Sequence, residues 1–359
     1  MNISEKAKNI ISNCRFCWMC RHICPIGNAT GLERNTARAR AMCAFLVVNG
    51  DTKSEEIADN LYECTLCGAC TNNCMTGFDP KVFVQEMRTE LALEGKTPEY
   101  IVKLVENYLN CGNIYGKEVC SCIKDLLVEK KSDTLVFFSE DVVIKNTQAV
   151  KDVKALLDKA NVDYTFGSMN DAGSSIYFLT GKTQETLNAV KNATEYFNGY
   201  KNVVVYDPVD LSLILHQYKE WGMEVSAKVI GFNEYLLGLI EDGKLTVKKS
   251  NNEYTLQDSY AYARELDDWN FGRKLIGKVG VVKDVLLIGK EANLAGNLIM
   301  NEYMPEVIKT VAERRWSEAE RTDCDTFVTE NPAEYVMLKE TAPQGKRVLS
   351  IEQMILENI

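Results

Sequence analysis

The sequence predicts an α+β multidomain chain, in which a helical, cysteine-rich part is followed by two similar α/β halves with parallel sheets. Three observations lead there. Twelve of the 13 cysteines lie within residues 14–122, and only Cys324 lies beyond. After residue 130 the apolar pattern changes from helical spacing to short strand-like runs alternating with helical ones. That alternation repeats with an offset of about 120 residues. The expected units are 1–130, 131–245 and 246–359.

In the first part, residues 36–42 continue into the apolar 45–48 and stop at Asn49-Gly50, a normal helix end. Ser54-Glu55-Glu56-Ile57 opens a second helix with acidic residues in its first turn. Asp79-Pro80 opens a third, running to Leu93, with proline at a permitted first helical position. Beyond it, 134–138, 176–179 and 202–206 read as strands, and 148–160, 183–197 and 211–221 as helices. In the last part, 284–288, 326–328 and 347–349 read as strands, and 261–275, 297–315 and 332–340 as helices. Strands alternating with helices imply parallel sheets covered on both faces.

Composition narrows the function. The 359 residues are 46% hydrophobic and 26% charged, which excludes a largely disordered chain. A net charge of −10 gives no electrostatic footprint for nucleic acid. No apolar run approaches the roughly 18 residues of a membrane span. The opening Met-Asn-Ile-Ser-Glu-Lys-Ala-Lys has no signal-peptide character, so a cytoplasmic location with reduced thiols is expected. Thirteen cysteines, clustered, beside two histidines point to metal bound by thiolate.

The spacing is specific. Cys14-x2-Cys17-x2-Cys20-x3-Cys24-Pro25 recurs as Cys64-x2-Cys67-x2-Cys70-x3-Cys74, the bacterial spacing for two [4Fe-4S] clusters. In that pattern the fourth cysteine of each run serves the other cluster. One cluster is therefore assigned Cys14, Cys17, Cys20 and Cys74, and the other Cys64, Cys67, Cys70 and Cys24. Met75 replaces the usual second proline and leaves the thiolates in place. Zinc generally takes two spaced cysteine pairs, which this pattern is not.

The 39 residues between the runs form a longer spacer than in small clostridial ferredoxins. With Leu61-Tyr62-Glu63-Cys64-Thr65-Leu66-Cys67-Gly68-Ala69-Cys70, Arg38-Ala39-Arg40 and Asp79-Pro80-Lys81-Val82, the chain resembles the heterodisulfide reductase C/B-like iron–sulfur proteins. It also resembles the iron–sulfur components of glycolate oxidase and of anaerobic glycerol-3-phosphate dehydrogenase. The resemblance implies tandem Cys-Cys-Gly domains in the C-terminal part, but their cysteines are missing. Glu140 holds the place of the first leading cysteine, Asp171-Ala172-Gly173 that of the triplet, and Asp207 and Asp210 that of the closing pair. In the second half Tyr260, Leu294-Ala295-Gly296, and Asn331 and Glu334 hold these places. Iron–sulfur clusters need soft thiolates, so no cluster and no disulfide-reducing site is expected in 131–359. Two readings of Asp171, Asp207 and Asp210 stand: a hard-cation site, or loop and helix N-cap positions, which Asp favours.

Cys111, Cys120 and Cys122 either add a third centre or are idle thiols; Cys43 and Cys324 read as structural. Arg15, Arg21, His22, Arg34, Arg38 and Arg40 crowd the first run in sequence, where positive charge raises a cluster's potential, Arg15 and Arg21 being favoured for that part. Phe16 and Trp18 are expected to shield a cluster from water. No glycine-rich dinucleotide fingerprint and no P-loop is present, so substrate chemistry is expected in a partner protein. The leading expectation is an electron-transfer subunit of a multi-subunit oxidoreductase, working through two [4Fe-4S] clusters with a flavoprotein dehydrogenase or electron-bifurcating partner. The alternatives are a self-contained reductase with a cleft between the α/β halves, and a structural or regulatory iron–sulfur module.

Overall fold

The computed structural model describes residues 1–118, 126, 132–166 and 171–359. Its helical part begins with Glu5–Asn13, capped by the Ser4 side chain accepting from the Ala7 amide. Ala37–Asn49 follows, capped by Thr36 and closed by Gly50 in a left-handed conformation (φ 82°), as the Asn-Gly stop predicts. The segment at Ser54 differs from expectation: one 3-10 turn, Ser54–Ile57, leads into the short helix Ala58–Tyr62. Pro80–Leu93 is a full helix capped by Asp79, and Glu99–Cys111 follows it.

The first sheet consists of β1 (Thr134–Phe137), β2 (Thr165–Phe166), β3 (Asn202–Val205) and β4 (Lys228–Gly231). The second consists of β5 (Glu253–Gln257), β6 (Val281–Val282), β7 (Thr326–Thr329) and β8 (Arg347–Ser350). Their orders are β2-β1-β3-β4 and β6-β5-β7-β8, and every pairing is parallel. The two halves thus share one strand order, in line with the internal repeat, and the α+β class is borne out.

Several elements differ from expectation. Residues 176–179 lie in the helix Ser174–Thr180, not a strand. Ile176 and Leu179 are fully buried there, in a core shared with Phe83, Met87 and Leu91 of the Pro80–Leu93 helix. A helix buried this way shows a continuous apolar run, which periodicity cannot tell from a strand. Residues 284–288 form no regular element; the strand is β6, just before them. The expected helix 261–275 is a π-helical turn, Ala261–Glu265, followed by Phe271–Val279. The expected 297–315 is Leu298–Asn301 and then Pro305–Ala319, because Pro305 can begin a helix but cannot continue one.

The helical part is not a separate bead. One apolar core takes Ile11, Leu61 and Phe83 from it, Ile176 from the first half, and Met300 and Ile308 from the second. Its polar ties are also long-range: the Tyr62 hydroxyl donates to the Leu179 carbonyl at 2.9 Å, and the Tyr303 hydroxyl to the Tyr62 carbonyl at 2.7 Å. Among the described residues no helix is long and apolar enough to cross a membrane.

Candidate metal centre and the cavity beside it

Each cysteine run begins with the same local device. Phe16 and Leu66, two residues after the leading cysteine, have positive φ (49° and 57°). That conformation aims the Phe16 amide at Cys14 Sγ (3.4 Å) and the Leu66 amide at Cys64 Sγ (3.5 Å). Cys24 sits at the N-cap of Pro25–Thr30, where its Sγ accepts from the Gly27 amide at 3.5 Å. Amides pointing at sulfur favour the thiolate that iron needs.

The fold gathers these thiols across the two runs. Cys74 and Cys17 lie near enough to Cys14 to raise its thiol. Cys24 lies against Cys67 and Cys64, and Cys70 against Cys64, Cys67 and Cys24. Cys24 is thereby brought near Cys64, Cys67 and Cys70 of the other run, and Cys74 near Cys14. Burial pushes the Cys20 thiol up to about 11 and Cys70 well above its ordinary value, so iron or another cation is needed to keep them ionised. Among the described residues no three ligating groups converge on a single metal ion. A four-iron cluster takes each thiolate on a different iron, which suits donors held apart. All described cysteines are unpaired by disulfides.

Of the arginines that crowd the first run in sequence, Arg40 and Arg38 lie near the thiols; Arg88 and Arg264 were not singled out. Arg40 is fully buried and donates to the Asn35 and Asn60 carbonyls at 2.8 and 3.0 Å, and to that of Glu63 at 2.6 Å. Burial alone would lower its pKa, but Cys64 and Cys24 beside it hold it above the usual value. Arg88, also buried, donates to the Leu61 and Cys64 carbonyls at 2.8 and 2.9 Å and to that of Phe178 at 2.6 Å. Arg264, from the second half, donates to the Cys67 carbonyl at 2.9 Å. The expected Arg15 and Arg21 are engaged elsewhere, with the Ser12 carbonyl and with Glu33. The His22 carbonyl accepts from Asn28.

Trp18 does not shield a cluster from water: it is 57% exposed, flanked by Arg21 and Arg38 at 5.2 and 4.7 Å from its ring centre. Phe16 does pack inward, edge-on to Phe45. Cys43 is half-buried, Cys111 is exposed, and Cys324 is buried with its thiol donating to the Glu253 carbonyl. Cys120 and Cys122 fall outside the described residues.

Beside the second cysteine run lies a cavity of about 880 Å³. Thr65 and Leu66 form part of its wall, Asp141 and Asp207 another part, and Tyr260 and Asn331 a third. It sits at the carboxyl ends of β1, β3, β5 and β7, where open α/β sheets place their ligands. Asp207 and Asn331 are N-caps of the helices Pro208–Glu220 and Pro332–Glu340, with proline in each first turn. The capping reading of Asp207 therefore holds, and among the described residues no group of carboxylates is arranged to hold a metal ion.

Asp171 and Asp210 are buried behind Ser174, whose hydroxyl reaches Asp210 at 2.5 Å and Asp171 at 3.3 Å. The carboxylate that the helix after β1, Glu140–Lys145, places on the cavity is Asp141, hydrogen-bonded by Ser175, and not Glu140, which accepts from Asn113. Burial, reinforced by Asp171, raises Asp141 to about 7; burial, with Asp171 nearby, raises Asp207 to about 6. In the second half burial raises Glu330 and Glu334 to about 8. Asp141 was missed because its neighbour aligned better with the internal repeat.

Residues 10–78 match the family described as a 4Fe-4S dicluster domain. Over 332 residues the chain is 23% identical to an uncharacterized iron-sulfur protein of Methanococcus maripaludis, covering 90% of this chain and 66% of that one, just under two thirds of the relative's length. Among solved structures, a glutamate racemase of Bacillus anthracis aligns at 13% identity over 62% of this chain and 78% of its own, with a TM-score of 0.33. An aspartate racemase of Picrophilus torridus aligns at 12% over 61% and 88%, with a TM-score of 0.30. Likenesses that slight carry no argument. The dicluster match, together with the two runs of cysteines that the fold gathers, supports an iron–sulfur protein carrying 4Fe-4S clusters.

Proposed function

We propose that the chain relays electrons through two [4Fe-4S] clusters, one held by Cys14, Cys17, Cys20 and Cys74 and the other by Cys64, Cys67, Cys70 and Cys24. The observation that carries this is the crossing of the fourth cysteines, Cys74 beside Cys14 and Cys24 beside Cys67. When bound, each cluster supplies one-electron chemistry. The chain's own part is to hold the thiols, aim amides at them, and place Arg40 beside the second set. We read the chain as three units, 1–130, 131–245 and 246–359, acting in the cytoplasm as an electron-transfer component of the heterodisulfide reductase C/B kind, with a flavoprotein or electron-bifurcating partner. Support for a docking face at the first cluster comes from exposed Cys17, Trp18 and Met75.

The test is iron and acid-labile sulfide on anaerobically purified protein, with EPR after dithionite. About eight iron and eight sulfide with spin-coupled cubane signals are expected. Cys74→Ser and Cys24→Ser should each disturb a different cluster; loss of the same signal in both variants would refute the assignment.

A second reading is favoured by the cavity. Thr65 and Leu66, between Cys64 and Cys67, line it, so a molecule bound there stands next to the second cluster's ligands. On this reading the protein itself reduces a small molecule, and turnover by the isolated protein with a reduced dye is its test.

A further inference from the structure

We propose that the cavity at the carboxyl ends of β1 and β3 binds a small organic molecule through its ammonium group, held by Asp141 and Asp207 with Asp171 and Asp210 behind them. The proposal rests on the cavity of the second reading but not on turnover there.

The first ground is missing counter-charge. None of these four carboxylates makes an ion pair among the described residues. Each of Asp141, Asp207 and Asp210 has other carboxylates as its main charged surroundings. Uncompensated charge at that depth is costly. The second half, built on the same strand order, keeps guanidinium groups near its own buried carboxylates. There Asp258 is bonded to Arg273, which also lies near Glu330, while Arg315 and Arg264 lie near Glu334. The first half has no such arginine among the described residues, and the ammonium of a bound molecule would supply that charge.

The second ground is an orphaned atom. Asp210 is 1% exposed, and its Oδ2 has no hydrogen-bond partner among the described residues. It sits among the other carboxylates, with Asp207 and Asp171 as its nearest charges.

The third ground is the cavity itself. Three of its own cations are engaged, Lys81 with Glu265 at 3.5 Å, Arg264 with three carbonyls and Lys182 over the Trp221 ring, while Lys6 is exposed to solvent. Its volume suits an organic molecule rather than a bare ion. Tyr177 and Trp221, packed edge to face at 5.0 Å, give the wall an aromatic surface for a carbon chain or a cation.

Binding then depends on pH with a fixed sign. Without ligand, Asp207 and Asp141 ionise near 6 and 7. An ammonium needs them charged, so affinity rises as pH climbs through those values and then levels. Glu140 and Asp171 face Asp141, Tyr108 and Tyr218 lie near Asp171, and His216 lines the cavity.

The experiment is anaerobic calorimetric titration of the cluster-loaded full chain with butylamine, diaminobutane, butanol and magnesium chloride. Saturable binding of at least one amine is expected, with butanol weaker by about tenfold or more, the order for a charge-assisted contact. Asp141→Asn and Asp210→Asn should each weaken the amine by about tenfold, while the exposed Glu195→Gln leaves it unchanged. Circular dichroism checks folding; where Asp210→Asn does not fold, Asp141→Asn and the pH profile of the unaltered protein decide. Four results would overturn the proposal: saturation by neither amine, butanol binding as tightly, magnesium binding in place of the amine, or affinity indifferent to Asp141→Asn and to pH. Amine binding without dye-driven turnover would sink only the second reading.

Discussion

Phe16 and Leu66 share a left-handed backbone conformation, and each donates its amide to the sulfur of the cysteine two positions earlier. Neither residue favours that conformation, so the strain is accepted for the sulfur contact it permits.

Leu66 therefore makes a direct test of the backbone. Leu66→Gly keeps the amide and removes the steric penalty, so iron content should be retained with stability changed by no more than about 1 kcal/mol. Leu66→Val places a β-branched residue at positive φ and should cost roughly 1–2 kcal/mol with faster loss of iron. Anaerobic denaturant midpoints and iron release rates measure both.

Arg40 should govern the second set of thiols. Arg40→Met removes positive charge beside Cys64 and Cys24 and leaves the Asn35, Asn60 and Glu63 carbonyls short of a donor. A lower midpoint potential for one cluster is expected, with a stability loss of roughly 3 kcal/mol or more. Arg40→Lys should recover part of the potential and little of the stability, because one ammonium cannot copy the guanidinium fork. Redox titration that finds both clusters unmoved in either variant would refute this.

Arg88 ties the helical part to the first half through the Cys64 and Phe178 carbonyls, with its guanidinium over the Tyr62 and Phe178 rings. Arg88→Met should cost roughly 3–5 kcal/mol and split one unfolding transition into two, the cluster signal lost first. Coincident loss of cluster absorbance and far-UV signal in the variant would contradict it.

Stability should fall with rising pH over an interval where most proteins are flat. Burial raises Glu330 and Glu334 to about 8 from an ordinary value of 4.5. The folded state thus holds protons that the unfolded chain has lost. Their contribution is fully present below 4.5 and disappears as pH rises through 8. Urea midpoints across that upper range should drop, and Glu334→Gln should flatten the drop by at most about 1.4 kcal/mol per pH unit.

The sequence shows most clearly what depends on short spacing. The two runs of four cysteines and the Thr36 and Asp79 caps are local patterns, set by residues within a turn or two of each other, as is the stop at Gly50. The strand–helix rhythm was visible in β1, β3, β7 and β8, whose apolar runs stand between polar segments. It was not visible in β4 or β5, whose Lys228 and Glu253 interrupt the apolar pattern at the exposed strand starts. Residues 176–179 misled because an apolar run buried on all sides carries no period.

The linear chain thus shows eight cysteines in a repeated spacing and the class of fold that follows them. Which charges meet which ligands is settled by packing alone. Arg40, Arg88 and Arg264 reach the second run from three separate elements, and Asp141 and Asp207 line one cavity from the helix after β1 and the helix cap after β3. The difference is one of range. Thiolate spacing is enforced along the chain, whereas the field at a buried group is set by whatever the fold packs within a few ångströms of it, however distant in sequence.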